Sequence, residues 1–179
     1  PGRAIAYRAV PVEPAPVEDE REFNTLLIGV NNISQKSFVL EVASRMNINV
    51  GENTKLGAMY SWSLPPIVTC PGKTCLCGGD DAACYAIRLY QRPTVMTAWD
   101  RSYEISKRKD LGDIFSGALS LLPDGLLRLH VSGDFYSVPY TMAMLWALRQ
   151  NVHIHPFAFT RSWRVPKLRA ALESFGGWP

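Results

Sequence analysis

Outside residues 70–84 this 179-residue chain has no cysteine, so it lacks the scattered pairs from which a disulfide framework is built. It has no run of about 18 uncharged apolar residues, which excludes a membrane-spanning helix. No basic, then apolar, then small-residue pattern stands at its start, so no secretory signal is expected. Together with the clustered thiols this predicts a reducing, cytoplasmic setting. No similarity recurs at a fixed period, which argues against a repeat protein. Charge imbalance is small: the formal net charge of +3 does not by itself establish a nucleic-acid partner. Histidine is scarce too, with only His130, His153 and His155.

What is present fits one globular domain. The chain is 47% apolar and 20% charged, and it is long enough to bury a real core. The charge is uneven. Residues 1–22 carry net −2 and the rest carries +5. Residues 9–20 (AVPVEPAPVEDE) are Pro- and Glu-rich with no buried-face pattern, which predicts an extended arm over 1–22. A single α/β domain over 23–179 follows, with a metal-binding loop at 69–86. Arg161, Arg164, Lys167 and Arg169 form a basic stretch with no acid among them. Such a stretch can bind the phosphates of a nucleic acid, and it can equally be a solvated helix face.

Cys70, Cys75, Cys77 and Cys84 have the spacing C-x4-C-x-C-x6-C in a Gly/Pro-rich segment. A metal centre needs soft thiolates to converge on one point, and a loop with few side-chain constraints allows it. An iron–sulfur cluster, most simply 4Fe–4S, is the favoured reading. Structural zinc is the alternative, weakened because zinc ribbons usually repeat a short two-cysteine knuckle. A disulfide pair or unconnected thiols is the bland reading. A chain of this length needs no such staple.

Leu26 to Val30 reads as a strand, and Ser34 to Met46 as a helix with Ser34 as its cap. The segment 51–66 turns from polar to aromatic and ends in Pro65-Pro66, so the chain enters the thiol loop extended. Asp80 and Asp81 precede an Ala-rich run, a helix-start signal that would put Cys84 in a first turn. Helices are expected over about 95–109 and 111–122. Then come a strand at 126–132, a loop at Gly133-Asp134-Phe135, a helix at 137–150 with Pro139 in its first turn, a strand at 152–159, a loop at 160–163 and a helix at 165–175. This alternation implies parallel strands, as a partial parallel β/α barrel or an open parallel sheet.

Strand alternation puts Leu127, Leu129 and Val131 on one face and Arg128, His130 and Ser132 on the other. In the next strand His153 and His155 share a face. If the apolar faces meet helices, then all three histidines line a common interior, with Asp134 and Arg161 on loops at the strand ends. His130, His153, His155 and Asp134 are therefore the catalytic candidates. An inert hydrogen-bonded histidine pair, and a turn role for Asp134, compete with that reading.

Asn53-Thr54-Lys55-Leu56-Gly57, Trp62-Ser63-Leu64-Pro65, Thr69-Cys70-Pro71, Cys84-Tyr85-Ala86, His130-Val131-Ser132-Gly133-Asp134-Phe135 and Thr160-Arg161-Ser162-Trp163 resemble the phage and plasmid gene product 88 family over about residues 50–170. That resemblance implies a phage protein working in the bacterial host cell; some family members are labelled replication-associated. More loosely, the Cys-Tyr-Ala end of the thiol segment resembles the cluster loop of radical S-adenosylmethionine enzymes. It implies that Ser132, Gly133, Asp134 and Arg161 contact S-adenosylmethionine. The sequence departs from those enzymes in lacking their C-x3-C-x2-C triplet.

Three functions follow as expectations. The first is an iron–sulfur protein on an α/β scaffold, a radical-type enzyme in its strongest form, acting on nucleic acid or peptide. The second is a non-catalytic, metal-stabilised module that binds nucleic acid or protein. The third is a replication nickase in which His153-Ile154-His155 holds a divalent ion near a nucleophilic Tyr136 or Tyr140.

Overall fold

The computed structural model describes residues 41–53, 57–73 and 84–174, all within the compact unit Val39–Pro179. The expected arm at 1–22, the strand at 26–30, and Cys75 and Cys77 lie outside the described residues. Within them, β1 (Asn49–Asn53), β2 (Gly57–Trp62), β3 (Gly125–Leu129) and β4 (Ile154–Ala158) form one sheet in the order β1-β2-β3-β4. Helices α1 (Tyr85–Tyr90), α2 (Pro93–Ser106) and α3 (Leu111–Ser120) lie between β2 and β3 in the chain. Helix α4 (Val138–Gln150) connects β3 to β4, and α5 (Pro166–Glu173) follows.

The sheet is mixed and open. β2, β3 and β4 are parallel, as the alternation of strands and helices predicts, while β1 pairs antiparallel with β2. Of the two expected forms, partial parallel barrel and open parallel sheet, the described residues form the open sheet, with β1 departing from all-parallel. β1 and β4 occupy the two edges of the described sheet and do not pair with one another. The physical reason lies at 49–62, where the chain reverses locally into a hairpin with no crossover helix, and a hairpin can only be antiparallel.

Side chains of β2 and β3 pack on α3 and α4. Trp62, Leu127, Leu129, Phe115 and Met144 are fully buried. The Trp62 and Phe115 rings meet edge to face with centroids 5.1 Å apart. Burying side chains of this size stabilises by roughly 1.5–3 kcal/mol each. Helix α4 starts where its sequence says it should: the Ser137 hydroxyl accepts from the Tyr140 N–H at 3.3 Å, and Pro139 occupies the first turn. It stops at Asn151, whose buried amide donates to the Ala147 and Ser116 carbonyls at 2.8 and 3.2 Å. The bond to Ser116 ties the end of α4 to the middle of α3. The helical residues 41–45 end similarly at Asn47 (φ 55°), with Ile48 N–H bonded to the Ala43 carbonyl at 2.7 Å.

Candidate functional site

The parallel strands end side by side, Trp62 beside Leu129 and Leu129 beside Ala158. Open α/β sheets place ligands beyond these carboxyl ends. Three loops leave the edge here and are joined to one another. The Leu64 N–H donates to the Ser132 carbonyl at 3.0 Å, and the His130 N–H to the Trp62 carbonyl at 2.8 Å. Gly133 has φ 77°, and a Cβ there would lie 2.5 Å from both Leu64 Cβ and Thr69 Oγ1. Only glycine lets the loop after β3 lie so flat on the loop after β2. Gly72 does the same two residues after Cys70: a Cβ would fall 2.1 Å from the Arg161 carbonyl oxygen.

Asp134 joins the loops after β3 and β4. Its buried carboxylate accepts from the Phe135 N–H and the Thr160 hydroxyl on Oδ1, at 2.8 and 2.5 Å, and from the Arg161 N–H on Oδ2 at 2.8 Å. Three donors occupy most of a carboxylate's acceptor capacity. The geometry is that of a clamp between loops, the turn role that the sequence left open beside catalysis. Ser132 and Ser162 are buried on this edge, and their hydroxyls have no hydrogen-bond partner among the described residues. Unpaired buried hydroxyls mark a place where an added ligand or water gains hydrogen bonds.

The thiol segment is fastened to the same edge at both ends. At one end lies the Gly72 contact with Arg161. At the other, the Tyr85 hydroxyl, one residue after Cys84, donates to the Val131 carbonyl. Cys70 and Cys84 are both partly buried, and Cys84 directly precedes α1 as its N-cap residue. Among the described residues no three His, Cys, Asp or Glu side chains converge on a metal-sized site. A cleft of about 570 Å³ adjoins the edge on the face away from Trp62, lined by Ser63, Val131, Asn47 and Trp99 among others.

The histidines do not share an interior, which corrects the expectation from strand alternation. β3 ends at Leu129, and His130 turns into the left-handed region at φ 59°, so the alternation no longer applies to it. Its ring packs edge to face on Phe135, and Nε2 lies 2.8 Å from the Tyr140 hydroxyl. That hydroxyl also accepts from Trp62 Nε1 at 3.2 Å. When Trp62 donates to Tyr140 and Tyr140 donates to a neutral His130, both bonds of the phenol are made, while the buried His130 Nδ1 has no hydrogen-bond partner among the described residues. Burial holds the His130 pKa down at about 4, with the negative charge of Asp134 opposing the shift. Burial likewise raises the Tyr140 phenol well above its ordinary range, the Trp62 bond opposing.

His153 and His155 stand at the start of β4, at the opposite end of the strands. His153 Nε2 donates toward the Leu119 and Leu122 carbonyls, at 3.2 and 3.1 Å. His155 is exposed, 3.5 Å from Asp124. Tyr136 bonds to Ser106 at 2.9 Å. His153, His155 and Tyr136 thus each hold a different partner. Gly72 was not singled out from the sequence; Trp62 and Thr160 entered only through the family resemblance, and Tyr140 only as a candidate nucleophile, not as the partner of His130. The only signal of these structural roles was position, in the stretches that flank strand ends.

A model of the family described as Gene product 88 matches residues 39–175. The chain belongs to the gene product 88 family. Among its relatives are the Gene 88 proteins of Mycobacterium phages L5 and D29, each 26% identical over 135 residues, 68% of this chain. The chain spans about half the length of these curated relatives, 55% in each case. No solved structure matches it. These findings support the gene product 88 resemblance and not the looser one to radical S-adenosylmethionine enzymes. No helix among the described residues is long and apolar enough to cross a membrane.

Proposed function

We propose that this gene product 88 protein is a metal–thiolate protein of phage type, acting in the reducing cytoplasm of the bacterial host. Its segment 69–86 holds an iron–sulfur cluster, 4Fe–4S, on Cys70, Cys75, Cys77 and Cys84. One observation carries the reading: the segment is anchored at both ends on the carboxyl edge of the parallel strands, by Gly72 against Arg161 and by Tyr85 on Val131. The two anchors keep Cys70 and Cys84, the outer thiols of the segment, on that edge, and soft thiolate donors suit iron–sulfur and zinc centres alike. The unpaired Ser132 and Ser162 hydroxyls on that edge, and the neighbouring cleft, are where a small substrate would be received. The open mixed sheet and the missing C-x3-C-x2-C triplet give no support to radical chemistry on S-adenosylmethionine.

The test is preparation under argon, with iron and acid-labile sulfide counted and the visible spectrum recorded. The expected result is brown protein absorbing near ~400 nm, with about four irons per chain, and loss of that band in Cys70→Ser and Cys84→Ser. Colourless protein with one tightly held zinc would overturn the cluster in favour of a structural thiolate site. Protein that takes up neither metal would overturn the whole reading.

A further inference from the structure

The loop after β4 and the start of α5 carry a feature that the thiol centre does not use. Between 159 and 169 the sequence FTRSWRVPKLR has four cations and no acid. Two large aromatics there face solvent, Phe159 at 77% and Trp163 at 49% exposure. The Arg164 and Arg169 guanidinium groups lie over the Trp163 ring, 5.4 and 5.9 Å from its centroid. Arg169 is held there by its Nε bond to the Trp163 carbonyl at 2.8 Å. Arg164, Lys167 and Arg169 are exposed, and no ion pair engages them among the described residues.

We infer that this surface binds single-stranded nucleic acid, with an unpaired base stacked on Trp163 and the backbone phosphates met by Arg164, Lys167 and Arg169. Stacking needs a flat, exposed π-face, and phosphates need uncompensated cations within a few ångströms of it. Both are present in one eleven-residue stretch. A lipid surface fits less well. In α5 Leu168 and Ala171 are buried and Leu172 is partly buried, so the outer face of the helix carries only Pro166 and Ala170 beside its charged residues and offers no broad apolar surface to insert. An acidic protein partner would use the cations but has no need of the stacked indole. The surface adjoins the thiol segment, because Gly72 packs on the carbonyl of Arg161, two residues before Trp163. The inference is nonetheless independent of any metal.

The test is fluorescence anisotropy of the anaerobically purified full chain with labelled oligo-dT and oligo-U. Duplex DNA of equal length, polyglutamate and anionic vesicles serve as competitors. Binding is expected to both single strands, with a log–log salt slope of about −2 for three phosphates met. Trp163→Ala should weaken it by roughly five- to 150-fold, while Trp163→Phe retains most of it. Lys167→Ala should lower the salt slope by about 0.7. Circular dichroism and urea midpoints of the variants report whether they fold, and Trp163→Phe with Lys167→Ala decides the matter if Trp163→Ala does not. Absence of salt-dependent binding, equal competition by duplex, polyglutamate or vesicles, or indifference to the loss of the indole would each overturn the inference. Iron content does not enter the readout, so failure here leaves the thiol centre standing, and the reverse.

Discussion

Lowering the pH should destabilise this protein through one residue. His130 is neutral and buried, bonded through Nε2 to Tyr140. Its pKa is held at about 4 against 6.5 for the free group. Between those values the unfolded chain binds a proton that the folded chain refuses. The contribution is therefore intact above pH 6.5, and it falls away as the pH drops toward 4. A gap of about 2.5 units corresponds to roughly 3 kcal/mol, a large part of a typical domain's 5–15 kcal/mol. The geometry gives the reason. Protonated Nε2 would donate to Tyr140, which already accepts from Trp62, and the phenolic hydrogen would be left unpaired in the core. The measurement is urea unfolding of the full chain from pH 7.5 to 4, compared with His130→Asn. Asparagine tolerates the left-handed backbone at this position and does not titrate. The variant should be less stable by about 1–3 kcal/mol at pH 7.5, from the unpaired Tyr140 hydroxyl, yet lose about 3 kcal/mol less on acidification. Parallel pH profiles for the two proteins would refute the reasoning.

Three further outcomes are expected. Asp134→Asn turns an amide N–H toward a backbone or hydroxyl donor now satisfied by carboxylate, and should lower stability by about 1–3 kcal/mol, read from the urea midpoint; an unchanged midpoint would show that the clamp is dispensable. Gly133→Ala combines a left-handed backbone with a Cβ only 2.5 Å from Leu64 Cβ and Thr69 Oγ1, and should cost at least about 2 kcal/mol in thermal or urea unfolding. Gly72→Ala collides with the Arg161 carbonyl at the end of the thiol segment, and should reduce bound iron per chain with little change in far-ultraviolet dichroism; full iron content would detach the anchor from the centre.

Residue patterns foretold the second half of the chain well. Helices α2 to α5 and strands β3 and β4 fall within a few residues of their expected limits, because long apolar periodicities and the Ser137 and Pro139 signals act locally. β1 was not foretold: Asn-Val-Gly-Glu-Asn has a single branched residue, Val50, and no apolar alternation, and it is held as a strand by pairing with β2. The histidine interior was misjudged because the alternation argument assumes extended backbone past Leu129, and one left-handed residue at His130 redirects the side chain to Tyr140. The thiols were visible as composition, but their attachment to the strand ends was not. That attachment depends on two glycine contacts and a tyrosine hydroxyl whose partners lie 46 to 89 positions away in the chain.

β2 and β3 are neighbours in the sheet, yet residues 63–124 separate them in sequence. The β1–β2 hairpin and the β3–α4–β4 unit can each form from adjacent chain. Zipping Trp62 to Leu129 must wait until that long excursion is gathered in, at a loop-closure cost of about 3–4 kcal/mol. On the ribosome, β2 emerges well before its partner exists, with one side unpaired. The seam between these two strands therefore closes over the longest chain separation in the described sheet, the kind of pairing that forms slowly and leaves a translating chain open to mispairing.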